Sequence, residues 1–387
     1  MKAIAAPSSR RPGPEGPEGP ASLVEPEKLA PGERVVLRSG ELPEGLGHEE
    51  LVVQRGERSG ALMAVAIHST RLGPALGGLR LWAYADPGEA IDDVLRLAEA
   101  MTYKAAAAGL DLGGGKGVIC APEGAPPTGE ERRAALLDFG DLVESLGGRY
   151  ITAEDVGTSA EDMRVIAERT AHVTGKPVDE GGAGDPSPYT AIGVEAAMRA
   201  ACAHGLGTPV LADLRVVIVG VGHVGERLAR SLAVRGARLT LSDIKPRARE
   251  IAAELGAQWA EPDAAMATPC EVLAPCAVGG VINSETVNRL RCRVICGAAN
   301  NQLAAEELGE RLARRRIVYA PDFIANAGGL IACYGELKGH DADRARALAL
   351  GIEDVMGEVL RSAERRRITP VRAARELAEA RLQQSGE

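Results

Sequence analysis

The apolar positions change their period along the chain. From about residue 35, aliphatic runs separated by Gly or charge (RVVLRSG, ELVVQRG, GALMAVAIHST) predict the strands of a mixed sheet. Ile91, Val94, Leu95, Ala98 and Met101 then recur at helical spacing, with Asp86 placed to cap, Pro87 at the first helical position, Glu89 where a capping-box acid belongs and Gly109 at the stop. Lys104 lies three residues beyond Met101, near the same apolar face. A second helix, from about Glu130 to Leu146 with Leu136, Phe139, Val143 and Leu146 inward, ends at Gly147-Gly148 and leads into the strand RYITAE. After the Gly-rich stretch DEGGAGDPSP, Ser187-Pro188 starts a long Ala-rich helix, which sets a domain boundary near 185.

The second half alternates strand and helix: RVVIVG, a helix to about Arg235, RLTLSD, a helix to about Leu255, then EVLAPCA, RVICGAA and RIVYAPD. This is the pattern of a parallel sheet with helical crossovers. Residues 341–387 read as helices, with Ile352, Val355, Met356, Val359 and Leu360 on one face that suits either core packing or an oligomer contact. Residues 1–34 are rich in Pro, Gly and Glu, a composition that buries too little apolar surface to order itself, and are expected to form a disordered tail. Arg10 and Arg11 there read as solvated charges.

Composition narrows the function classes. A chain of 387 residues buries a large core across two domains without disulfide or metal staples. Aromatic residues are only 3% of it, so platforms for stacking bases are not expected, and the net charge of −9 with no basic block argues against nucleic acid. No apolar window approaches the roughly 18 residues of a membrane span, and the first residues lack a secretory apolar stretch, so a cytoplasmic protein is expected. The seven cysteines form no CxxC, so buried thiols are expected in place of a disulfide framework or a metal site.

Gly220-Val221-Gly222-His223-Val224-Gly225 directly follows the strand RVVIV and opens a helix. The first glycine allows the tight turn, the second a close approach of backbone to pyrophosphate, and the third close helix packing. Asp243, at the end of the next apolar strand, suits the adenosine ribose hydroxyls and would repel a 2′-phosphate, which favours NAD over NADP. Lys245 and Arg247 just beyond keep the second cofactor open. His223 reads as solvent-facing or close to phosphate.

In MTYKAAAAGLDLGGGKGVI, Lys104 and Lys116 stand among small residues, where an ammonium group is costly to bury. Two converging, partly desolvated ammonium groups raise the cost of each other's charge, and one can fall toward a useful base pKa. Two surface lysines on a Gly-rich turn are the alternative. Gly113 to Gly115, and the Gly pair of ALGGLR, are expected to let a substrate approach the backbone. Asp155, after the strand RYITAE, is either a catalytic acid at a strand terminus or a cap for the next helix, a role Thr158 or Ser159 also suits.

GPALGGLR, MTYKAAAAGLDLGGGK, GGRYITAEDVGTS, GDPSPYTAIGV, CAVGGVIN, GAANNQL and YAPDFIANAGG, in this order over about residues 60–335, resemble the leucine, valine and phenylalanine branch of the glutamate dehydrogenase superfamily. The resemblance implies an α/β protein with an N-terminal substrate-binding and oligomerisation domain (35–184), a Rossmann-type NAD-binding domain (185–340), an active-site cleft between them, and C-terminal helices (341–387) packing back across both. It implies reversible oxidative deamination of an L-amino acid to a 2-oxo acid and ammonia with NAD, by a homo-oligomer. Lys104 would hold the substrate carboxylate, Lys116 would activate the water that attacks the imine, and Asp155 would relay protons. Gly77 and Asn300 would position substrate and nicotinamide by hydrogen bonding, Thr190 would lie near the nicotinamide amide, and Ala277 and Val278 beside the cofactor. Leu76, Ala153, Leu330 and Cys333 would wall an apolar side-chain pocket, which favours a branched aliphatic substrate, keeps an aromatic one open and disfavours glutamate. His223, Gly225 and Gly117 depart from the residues common in this branch. The alternative of another class is a non-catalytic NAD-binding regulatory protein.

Overall fold

A computed structural model describes residues 24–121 and 126–384. The first domain is a six-stranded sheet in the order β1-β2-β3-β5-β4-β6. Strands β1 (Arg34–Arg38), β2 (Glu50–Arg55) and β3 (Leu62–Ser69) form an antiparallel meander, and β4 (Ala75–Trp82) is the partner of two later strands. Helix α1 (Pro87–Ala107) follows, its amino end capped by the Asp86 carboxylate, which accepts from the Glu89 N–H. Strand β5 (Gly113–Cys120) then inserts between β3 and β4, α2 (Gly129–Ser145) covers the opposite face, and β6 (Tyr150–Glu154) closes the edge parallel to β4 before α3 (Ala160–Ala167).

The triple glycine is therefore the start of the buried strand β5 and not the Gly-rich turn of the surface-lysine alternative. A side chain at Gly114 would collide with Thr102 of α1, and one at Gly115 or Gly117 with Tyr150 or Phe139 on the other face. The missing side chains bring the two helical layers close to the sheet. Because successive strand residues point to opposite faces, Lys116 shares the α1 side with Gly114 and Val118. The ALGGLR glycines are likewise strand residues, in β4.

The tail expectation fails for residues 24–34. Val24 is buried against the first sheet, and the Pro26 and Leu29 carbonyls accept hydrogen bonds from the Arg55 guanidinium. Local composition hid this, because the partners come from a strand far along the chain. Residues 1–23 lie outside the described residues.

The second domain opens with α4 (Ser187–Leu206), then alternates β7 (Arg215–Val219), α5 (His223–Val234), β8 (Arg238–Ser242), α6 (Arg247–Glu254) and β9 (Gln258–Trp259). After α7 (Pro262–Ala265) come β10 (Val272–Pro275), β11 (Val294–Ile295), α8 (Leu308–Arg314) and β12 (Val318–Tyr319). All six strands are parallel, in the order β12-β11-β10-β7-β8-β9. Numbered within the domain this is 3-2-1-4-5-6, the doubly wound dinucleotide-binding arrangement, whose ligand crevice opens where the order reverses, between β7 and β10. β9, with only two residues, had no apolar run to announce it.

Helices α9 (Asp322–Ala325), α10 (Gly328–Lys338), α11 (Ala342–Leu350), α12 (Ile352–Arg366) and α13 (Pro370–Gln384) complete the chain. Ile352, Met356, Val359 and Leu360 are buried, so the apolar stripe of α12 serves the core. From α13, Arg381 donates to the Ala106 carbonyl and pairs with Asp111, tying the carboxyl end back to the first domain. No described helix is long and apolar enough to cross a membrane.

Candidate active site

Strands β4, β5 and β6 run parallel, and their α1-facing side carries a charged cluster. Lys116, 5% exposed, projects from β5, and its ammonium lies 2.8 Å from Asp155 Oδ2, just beyond β6. Arg80 of β4 approaches the same oxygen through Nε at 3.2 Å and reaches Asp93 of α1 through NH1 at 2.8 Å. Tyr84 donates to that Asp93 oxygen at 2.9 Å. Asp155 is therefore not the cap of the next helix: Ser159 caps α3, in a reciprocal capping box with Asp162.

Burial pushes the Lys116 ammonium below the usual lysine range, with Arg80 adding repulsion and Asp155 opposing the shift. Burial works against the charge of Asp155 too, but Lys116 and Arg80 outweigh it and hold the carboxyl at about 2. The pair is a fixed carboxylate beside an ammonium primed to release its proton.

Lys104, in the last turn of α1, reaches across to the second domain, where its Nζ lies 3.3 Å from Asn300 Oδ1. Asn326 Nδ2 donates to the same oxygen at 2.7 Å. With Oδ1 engaged twice, the Asn300 amide keeps its N–H₂ as a donor for a ligand. Burial lowers the Lys104 pKa to about 8; Asp322 opposes the shift and Lys116 adds to it. Lys104 and Lys116 thus lie close enough to feel each other's charge, the convergent one of the two arrangements their spacing left open. Asp322, buried, accepts from the Gln302 and Phe323 N–H groups, which fixes it beneath Lys104.

Leu76, Ala153, Leu330 and Cys333 are all buried and belong to one apolar cluster drawn from both domains. The Gly77 carbonyl is committed to the Tyr150 hydroxyl at 2.5 Å, and a side chain at Gly77 would collide with the Gly115 carbonyl. The tight sheet at Gly77 is thus set by β5 packing.

At the switch point of the second sheet, Gly220 has φ +101°, a conformation that glycine adopts without strain, and lies against Ala277 at the end of β10. A side chain at Gly225 would strike the Gly220 carbonyl, whereas the space beside Gly222 is open, with nothing within 4 Å. His223 is exposed in the first turn of α5, next to Val224. Asp243, at the end of β8, accepts from Val221 N–H at 2.7 Å and Lys245 N–H at 2.8 Å, so the loop and the carboxylate form one unit. Val278 is exposed beside this crevice, and Thr190, in the first turn of α4, packs against Gly329. Loop, open cradle and carboxylate fit the pyrophosphate and adenosine ribose of a dinucleotide.

Arg80, Asp93, Asp322 and Asn326 were not singled out from the sequence as site residues. Arg80 ends ALGGLR, and Asp322 and Asn326 stand within YAPDFIANAGG, so the motifs contained these three while Asp93 lies in none of them, and nothing local says that an arginine on β4 faces the lysine of β5.

A two-domain α/β chain with a dinucleotide-binding sheet facing a lysine–carboxylate site is the architecture of a nicotinamide-dependent oxidoreductase. Residues 52–172 match the family model "Glu/Leu/Phe/Val dehydrogenase, dimerisation domain", and residues 241–385 match "Glutamate/Leucine/Phenylalanine/Valine dehydrogenase". A leucine dehydrogenase of Thermoactinomyces intermedius is 45% identical over 87% of this chain and 91% of its own, and a valine dehydrogenase of Streptomyces coelicolor is 44% identical over 87% and 92%. The crystal structure of an L-tryptophan dehydrogenase from Nostoc punctiforme superposes with a TM-score of 0.76 at 36% identity, covering 88% of this chain and 97% of that one. The chain belongs to the Glu/Leu/Phe/Val dehydrogenase family of amino-acid dehydrogenases.

Proposed function

We propose that this chain catalyses the NAD-dependent, reversible oxidative deamination of a branched-chain L-amino acid (leucine, valine or isoleucine) to its 2-oxo acid and ammonia. The observation that carries the reading is the Lys116–Asp155 pair, at 2.8 Å, sharing a crevice with Lys104 opposite the dinucleotide-binding domain. The names of the leucine and valine dehydrogenase relatives support the substrate class.

Nicotinamide supplies the hydride acceptor when bound. Gly220, Val221, Gly222, His223, Val224 and Gly225 would hold the pyrophosphate, Asp243 the adenosine ribose, and Thr190, Ala277, Val278 and Asn300 would line the nicotinamide end. The preference for NAD rests on Asp243, whose charge repels a 2′-phosphate, and on Arg247, which leans toward Glu226 at 3.5 Å.

Lys104 binds the substrate carboxylate together with the Asn300 amide, while Leu76, Ala153 and Leu330 enclose the aliphatic side chain, with backbone at Gly77 lining the entry. Asp155 takes a proton from the substrate amine as the imine forms. Lys116, as the neutral amine, takes a proton from water as its oxygen bonds to the imine carbon; the Lys116 ammonium then returns that proton to the carbinolamine nitrogen, and ammonia leaves as the C–N bond breaks, the hydroxyl proton passes to Asp155 and the C=O bond forms. Closure of the cleft keeps bulk water from the reacting carbon. A homo-oligomer is expected from the dimerisation-domain family model.

The test is absorbance of reduced cofactor with a panel of L-amino acids. Leucine, valine and isoleucine should give the highest kcat/KM. Preferred turnover of phenylalanine or tryptophan would move the chain to the aromatic reading that the tryptophan dehydrogenase neighbour represents. NAD binding with no turnover of any amino acid would leave the non-catalytic alternative.

A further inference from the structure

We infer that Arg80 is a positioning residue that decides which oxygen of Asp155 handles the proton. Lys116 Nζ and Arg80 Nε both approach Oδ2, at 2.8 and 3.2 Å. Both cation contacts fall on Oδ2, and the Asp155 side chain keeps 23% of its exposure. A carboxylate can rotate and exchange its oxygens; one held on a single oxygen by two cations of different origin cannot do so without breaking both contacts.

Arg80 is itself held from behind. Its NH1 pairs with Asp93 Oδ2 at 2.8 Å, and that oxygen also accepts from Tyr84, while Asp93 Oδ1 takes Arg96 at 2.5 Å. The chain runs Tyr84 and Arg96, Asp93, Arg80, Asp155, Lys116, from the outer side of α1 to the base. The guanidinium fork suits this double duty, since Nε and NH1 point to different partners in a fixed plane, which an ammonium cannot copy.

The same contact acts on Lys116. Its charged neighbours are Asp155 beyond β6, Arg80 from β4, and Asp93 and Lys104 from α1, with Glu154 beside Asp155. Three cations meet two close carboxylates, so removing Arg80 leaves Lys116 with fewer like charges and a stronger hold on its proton. When Lys116 gives up its proton, Asp155 Oδ2 loses one cation, and Arg80 alone keeps Oδ1 aimed outward to accept the amine proton: the N–H bond breaks, the Oδ1–H bond forms, and the proton then leaves to solvent. The proton-transfer role rests on the deamination reading above.

The test compares the full-length wild type with Arg80→Gln, Arg80→Lys and Asp93→Asn by two readouts. The first needs no turnover: the pH dependence of Lys116 acetylation by acetic anhydride, read by mass spectrometry. The second is the pH profile of kcat and KM with whichever amino acid the wild type oxidises. Arg80→Gln should move the Lys116 labelling midpoint up by about one pH unit and lower kcat about tenfold or more, with KM for the amino acid within about twofold. Arg80→Lys should restore the midpoint and only part of kcat. Asp93→Asn, which frees the far end of Arg80, should lower kcat without a comparable change in KM and serves if Arg80→Gln does not fold. Unchanged labelling and kcat in the Arg80→Gln protein, or in Asp93→Asn if only that folds, would overturn the inference. A wild type that oxidises no amino acid sinks the functional reading instead, and the labelling comparison still decides what Arg80 does to Lys116.

Discussion

Lys104 Nζ stands 3.3 Å from Asn300 Oδ1, a contact that joins the last turn of α1 to the opposite domain and places an ammonium at the mouth of the crevice. A substrate carboxylate arriving there completes a charge the protein buries at a cost. Changing Lys104 to Met should therefore raise KM for the amino acid by roughly a hundredfold, the size of a lost charge-assisted pair of about 3 kcal/mol, while the thermal midpoint rises. A KM within twofold of wild type would remove Lys104 from substrate binding.

The same lysine gives the pH dependence a sign. Its folded pKa, about 8, lies below its ordinary value of 10.5, so in the free enzyme the charge fades as pH rises through 8. The burial penalty on stability is present in full below about 8 and disappears between there and 10.5. With ammonia saturating, KM for the 2-oxo acid should climb above pH 8, approaching about tenfold per pH unit. Asp155, at about 2, stays ionised throughout and adds stability that is lost only as pH falls from about 3.8 through 2. A KM flat from pH 7 to 10 would contradict the assignment of Lys104.

Gly222 and Gly225 separate cofactor binding from folding. Gly222 has open space around it and an ordinary φ of −82°, so Gly222→Val should fold normally but weaken NAD binding by about tenfold or more, measured by calorimetry, because the branched side chain occupies the pyrophosphate cradle. Gly225→Val, by contrast, meets the Gly220 carbonyl and should lower the thermal midpoint as well. Equal NAD affinity in Gly222→Val and wild type would place the cofactor elsewhere.

Leu330 should govern side-chain size. Leu330→Ala should shift the ratio of kcat/KM toward phenylalanine over valine by about tenfold to a hundredfold, the range that about 1 to 3 kcal/mol of apolar contact provides. An unchanged ratio would remove Leu330 from the pocket wall.

The strand–helix alternation from RVVIVG onward, the glycine loop with Asp243, and the capped helix carrying Lys104 were all legible, because each is written in local spacing. What was not legible is where local composition points the wrong way. GGGKG leaves a Gly-rich turn open until Tyr150, Phe139 and Thr102 are seen filling the space its missing side chains leave. Val24 to Arg34 reads as tail until Arg55 binds its carbonyls. Arg80 escaped for a related reason: its function depends on which strand lies beside β5, and strand order is not a local property. The long motifs of the family resemblance bridged this gap for Lys116 and Asp155, whose pairing no spacing rule gives.

The measurement that bears most directly on the account is turnover by Lys116→Ala beside NAD affinity in the same protein. An amine that activates water should be missed by about a thousandfold in kcat with L-leucine, while the NAD Kd stays within about twofold of wild type. Near-native kcat in that variant would contradict the assignment of Lys116 as the base on which the deamination chemistry depends.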